Sequence, residues 1–147
     1  MEIISPKAYK APAHGVPRVL IVDDEIDHAE ICAALLRWRG YQVAVAITGA
    51  DAIELAHALK PDLILLDLHM PVVDGFSTAA HLHDHPDTCH VPIVFLSACG
   101  EDLAERLEPL GVREWLPKPF RAAQLIDCVE RSLEPRTYRQ PQPGTHL

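Results

Sequence analysis

The stretch LILLDLHMP, residues 63–71, sets four large aliphatic residues directly before an aspartate. An apolar run without alternation fits a strand buried on both faces. A carboxylate at its end is costly to dehydrate. Asp67 is therefore either a solvated residue just past the strand or a group held in a crevice for a purpose.

Outward from this stretch, short apolar runs alternate with helical patterns. Strands are expected at residues 18–22, 41–46, 63–66, 91–96 and 112–116. Helices are expected at 26–39, from Gly49 and Ala50 to just before Pro61, at 76–83, at 101–108 and at 121–133. Gly40 suits the C-terminal stop of the first helix, and Pro109 cuts off the fourth. Five βα units in succession predict an α/β fold, a doubly wound parallel sheet with helices on both faces. Ligands of such sheets bind outside the carboxyl ends of the strands.

The 147 residues suit one domain with a single core. A hydrophobic fraction of 48% and a charged fraction of 23% describe a folded chain, not a disordered one. Aromatics are only 5%, so Leu, Ile, Val and Ala must build the core. Residues 1–16 read as a flexible arm, 17–134 as the folded domain and 135–147, with three prolines, as a tail. A net charge of −8 argues against direct contact with nucleic acid. No apolar run approaches a membrane span, and MEIISPKAYK lacks a signal peptide's apolar stretch. A cytoplasmic protein is expected. Cys32, Cys89, Cys99 and Cys128 lack metal-like spacing and read as small buried thiols in a reducing compartment.

The residues just past the strands carry the chemistry. Asp23, Asp24 and Glu25 follow the first, Asp67 the third, Ser97 the fourth and Lys118 the fifth. If the first and third strands are neighbours, Asp23, Asp24 and Asp67 meet in one crevice, where their like charges repel. A divalent cation relieves this, and hard oxygen ligands favour Mg²⁺. Mg²⁺ and Lys118 would offset the charge of an incoming phosphoryl group, with Asp67 as nucleophile and Ser97 as hydrogen-bond donor.

VLIVDDE (19–25), LILLDLHMPVVDG (63–75), VFLSA (94–98) and LPKPF (116–120) resemble, in order, the four signatures of the response-regulator receiver domain. The resemblance covers roughly residues 18–133. It implies a flavodoxin-like (βα)5 fold with strand order 2-1-3-4-5. It makes Asp67 the phosphoacceptor, Asp23 and Asp24 the acidic pair that holds Mg²⁺, and His69 the residue whose backbone carbonyl completes the metal site. Ser97 matches the switch hydroxyl and Lys118 the phosphate-pairing lysine. Pro119 matches the proline that follows a cis bond. Trp115 matches the switch aromatic, where relatives carry Tyr or Phe, so its bulk implies an altered switch. His69 and Cys99 stand where side chains govern access of water to the phosphoryl group.

The implied phosphoryl donor is a sensor histidine kinase or phosphotransfer protein, with Asp27, His28, Ile31, Pro119 and Phe120 as docking candidates. The last helix–strand–helix face, residues 101–133, is the expected surface for a downstream protein or a second copy. A stand-alone receiver with protein–protein output is expected, with self-phosphorylation and self-dephosphorylation but no substrate turnover.

Two rivals remain. A haloacid-dehalogenase-type phosphatase carries a second Asp two residues after its nucleophile, where this chain has His69. A pseudo-receiver would act only as a binding module. His81 and His85, in HLHDHPDTCH (81–90), share a helix face at four-residue spacing. Pro86 ends that helix, so the segment reads as a solvated helix end and not as a zinc site.

Overall fold

Five parallel strands form one sheet in the order β2-β1-β3-β4-β5. They are β1 (Arg18–Val22), β2 (Gln42–Ala46), β3 (Leu63–Asp67), β4 (Ile93–Ser97) and β5 (Glu114–Pro117). The helices whose bounds fall among the described residues are α1 (Ile26–Trp38), α2 (Gly49–Leu59), α3 (Gly75–Asp84) and α4 (Ala122–Ser132). This computed structural model describes residues 15–68, 75–97, 105, 108–110, 112 and 114–134. The arm as far as residue 14, the tail 135–147, His69 and Cys99 lie outside the described residues. So does most of the helix expected at 101–108.

Strand alternation divides the core in two. Leu20, Val22, Ile64, Leu66, Ile93 and Phe95 face α2 and α3. Val19, Ile21, Leu63, Leu65, Val94 and Leu96 face α1 and α4. Both faces are covered, so β3 and β4 are buried along their whole length and carry no polar alternation before Asp67 and Ser97. A partly buried ion pair, Arg39 Nη2 to Glu130 Oε2 at 2.7 Å, ties α1 to α4.

The caps follow local chemistry. Thr48 Oγ1 accepts the Asp51 N–H at 3.0 Å and starts α2. Gly40, with φ +105°, takes the left-handed turn that ends α1. Arg37 Nη2 donates to the Val43 carbonyl of β2 at 3.0 Å.

Several boundaries differ from expectation. β4 begins at Ile93, not 91, because the Val91 N–H closes a turn on the Thr88 carbonyl at 3.0 Å. β5 begins at Glu114, because its pairing with β4 starts there, opposite Val94. Pro109 sits inside a 3-10 turn, Glu108–Leu110. Asp67 and Ser97 are the last residues of their strands, not the first beyond them.

Candidate functional site

At the carboxyl edge of the sheet, β1 and β3 are neighbours, and the loop after β5 reaches back across β4. Asp23 shares the strand parity of Val19 and Ile21, and Asp67 that of Leu63 and Leu65. Both carboxylates are therefore set toward the α1 and α4 side. Lys118 shares the parity of Leu116 and comes to the same place. Its N–H donates to the Ser97 carbonyl at 2.7 Å, which fixes the loop to β4. The Lys118–Pro119 peptide bond is cis.

Lys118 Nζ lies 3.6 Å from Asp67 Oδ1 and 3.7 Å from Asp23 Oδ2. Asp67 is 4% exposed, Asp23 fully buried and Ser97 1% exposed, whereas Asp24 is exposed. One carboxylate oxygen from each of Asp23, Asp24 and Asp67 lies within 4.8 Å of the others. This all-oxygen set, with one face open at Asp24, fits a small hard cation such as Mg²⁺ that retains water.

Asp23 is held on both oxygens. Oδ1 accepts the Glu25 N–H at 3.0 Å, and Oδ2 lies 2.7 Å from His28 Nδ1. His28, read from the sequence as a docking residue, is thus half turned into the pocket, with its ring edge against Phe120 at 5.7 Å. Asp27 and Pro119 are exposed and Ile31 is 62% exposed, so these three present an outer surface beside the pocket. Trp115 is half-buried, opposite Phe95 on β4, and packs against the α2–α3 core.

Behind the pocket lies a close backbone approach. A Cβ at Gly75 would stand 2.5 Å from the Asp67 carbonyl oxygen and 2.8 Å from Leu68 Cα. Only glycine lets α3 begin there. Neither the Gly75 contact nor the His28–Asp23 bond was anticipated from the sequence.

Known proteins fit this geometry. The family model for the response regulator receiver domain matches residues 19–130. The chain is 35% identical over 133 residues to the DNA-binding dual master transcriptional regulator RpaA of a Synechocystis strain, covering 89% of this chain and 54% of that protein. It is 39% identical over 122 residues to the transcriptional regulatory protein PrrA of Mycobacterium tuberculosis, covering 82% and 51%. The chain therefore spans about half the length of these regulators. The structure of the Vibrio cholerae chemotaxis protein CheY4 superposes with a TM-score of 0.78 at 28% identity, covering 81% of this chain and all 100% of that one. The receiver domain of a Pseudomonas aeruginosa sensor histidine kinase, solved with a magnesium ion in its active site cleft, gives 0.73 at 29% identity, covering 81% and 98%. With this sheet order and acidic pocket, the chain belongs to the response regulator receiver domain family of two-component signalling.

Proposed function

We propose that residues 17–134 form a receiver that accepts a phosphoryl group on Asp67 from the phosphohistidine of a sensor histidine kinase or phosphotransfer protein. The observation that carries this reading is the placement of Asp67. It is a buried carboxylate at a rigid strand end, 3.6 Å from the Lys118 ammonium and beside two more acids. An Asp67 oxygen attacks phosphorus, the P–N bond to the donor imidazole breaks, and the imidazole keeps the electron pair. Lys118 pairs with a phosphoryl oxygen, and the Ser97 hydroxyl donates to another. Asp23, Asp24 and Asp67 would hold Mg²⁺, with the His69 carbonyl completing the set on the strength of the family resemblance. When bound, the cation supplies positive charge against the phosphoryl oxygens.

The donor docks on Asp27, Ile31, Pro119 and Phe120, with His28 at the rim. Phosphorylation draws Ser97 inward and shifts the population of the face built by residues 101–133, Trp115 included. That face engages a downstream protein or a second copy of the chain, and the reaction takes place in the cytoplasm. Among the described residues no helix is long and apolar enough to cross a membrane.

The test is incubation with acetyl phosphate and Mg²⁺, read by intact mass. The wild type gains one base-labile phosphoryl group and Asp67→Asn gains none. A wild type that gains none leaves only a binding module.

A further inference from the structure

At the other edge of the sheet lies a second group of metal-ligating side chains. α2 and α3 each start near the carboxyl ends of the strands and run back, so both finish opposite the acidic pocket. His57 stands in the last turn of α2 and His81 in the last turn of α3. His85 follows α3 directly, and Asp87 lies in the turn beyond.

The His57 and His85 rings meet edge to face, with centroids 4.4 Å apart. His81 stacks on His85 at 5.9 Å. His57 Nδ1 lies 3.4 Å from Asp87 Oδ2. One donor atom from each of His57, His85 and Asp87 lies within 4.8 Å of the others. His85 Nδ1 is buried and takes no hydrogen bond among the described residues. A buried imidazole nitrogen in that state costs free energy that a ligand would recover. The turn carrying these groups is braced. Thr88 Oγ1 donates to the Leu82 carbonyl at 2.7 Å, and the Cys89 N–H donates to the His85 carbonyl at 2.8 Å.

We propose that His57, His85 and Asp87 bind a divalent transition-metal ion of the Zn²⁺ class, which clamps α2 to α3 independently of the acidic pocket. Two imidazoles and one carboxylate suit Zn²⁺, whereas Mg²⁺ takes oxygen ligands. Zn²⁺ bonds of about 2.0–2.1 Å draw tetrahedral ligand atoms to roughly 3.4 Å, so modest side-chain rotations close the site. His81, exposed beside both rings, is within reach of the fourth position. The spacing of His81 and His85 alone indicated a solvated helix end. What changes the reading is His57, which the fold brings in from another helix.

The test titrates Zn²⁺ into the full chain, labelled with ¹⁵N and saturated with Mg²⁺. The ring nitrogens of His57 and His85 are expected to shift together and saturate at one equivalent. His57→Gln and His85→Gln should each weaken Zn²⁺ binding by more than about tenfold. Asp23→Asn with Asp67→Asn should leave it unchanged. Urea midpoints without metal show that each variant folds. The proposal is overturned if the two rings do not respond in the wild type, or if binding is lost with the aspartate pair and not with the histidines.

Discussion

Asp23 shares one buried carboxylate between two hydrogen-bond partners, a backbone N–H and His28, and the Lys118 ammonium 3.7 Å away. Around it stand two more acids and no second lysine among the described residues, so the pocket carries net negative charge. Bringing such charges together opposes folding, and a bound cation offsets that. Mg²⁺ at a hundredfold excess over its Kd should therefore stabilise the wild type by about 2.7 kcal/mol. In a chelator, Asp67→Asn should be more stable than the wild type and gain less from added Mg²⁺. Urea midpoints with and without the ion check both. Asp67 and Lys118 were legible because each sits beside a strand in a recognisable run. The His28–Asp23 bond was not. A spacing of five residues across a strand–turn–helix junction has no regular period, and the turn at 23–25 decides whether the groups meet.

Among the elements, α3 is positioned by what Gly75 lacks. Its backbone rests on the end of β3, at the residue that carries Asp67. Gly75→Ala forces one of the two to move and should cost about 1–3 kcal/mol, seen as a lower urea midpoint. Because the displaced atoms belong to Asp67 and Leu68, the same variant should also take up phosphoryl from acetyl phosphate more slowly, by intact mass against time. The sequence showed that α3 and β4 exist but not where each begins. An apolar run reports burial; pairing reports a strand. Val91 is buried like a strand residue, yet its N–H belongs to the preceding turn.

Over the whole molecule, the alternation of apolar runs with helical patterns was enough to anticipate one sheet with helices on both faces, while the single core expected from chain length is two clusters, one on each face. The strand order came from the family resemblance, since periodicity does not state which strands are neighbours. The reading of the cysteines as buried thiols holds for Cys32 and Cys128 but not for exposed Cys89, and the burial of Tyr41 was not visible. Burial pushes the Cys32 thiol up to about 11, with Asp23 adding and Lys118 opposing. It pushes Cys128 up to about 11, with Glu114 adding, and Tyr41 up to about 12, with Glu130 adding. Raised folded-state values mean that the native chain holds protons the unfolded chain has released. Stability is thus full below pH 9 and falls as pH rises through 9 to 11, where the thiols differ most. Urea midpoints at pH 8 and pH 10.5 should show the fall (about those values, chosen to bracket the window). At pH 8 site-resolved alkylation should mark exposed Cys89 well before Cys32 and Cys128.

The two outer strands have one more consequence. On β2, Gln42 and Ala46 bond inward to the β1 side, so the Val43 carbonyl points away from the sheet, where Arg37 occupies it. On β5, Lys118 bonds inward to Ser97, so Pro117 is an outward position, and it has no N–H to offer. Each border of the sheet thereby loses one of the groups on which a foreign strand would build, and accretion of copies edge to edge is discouraged.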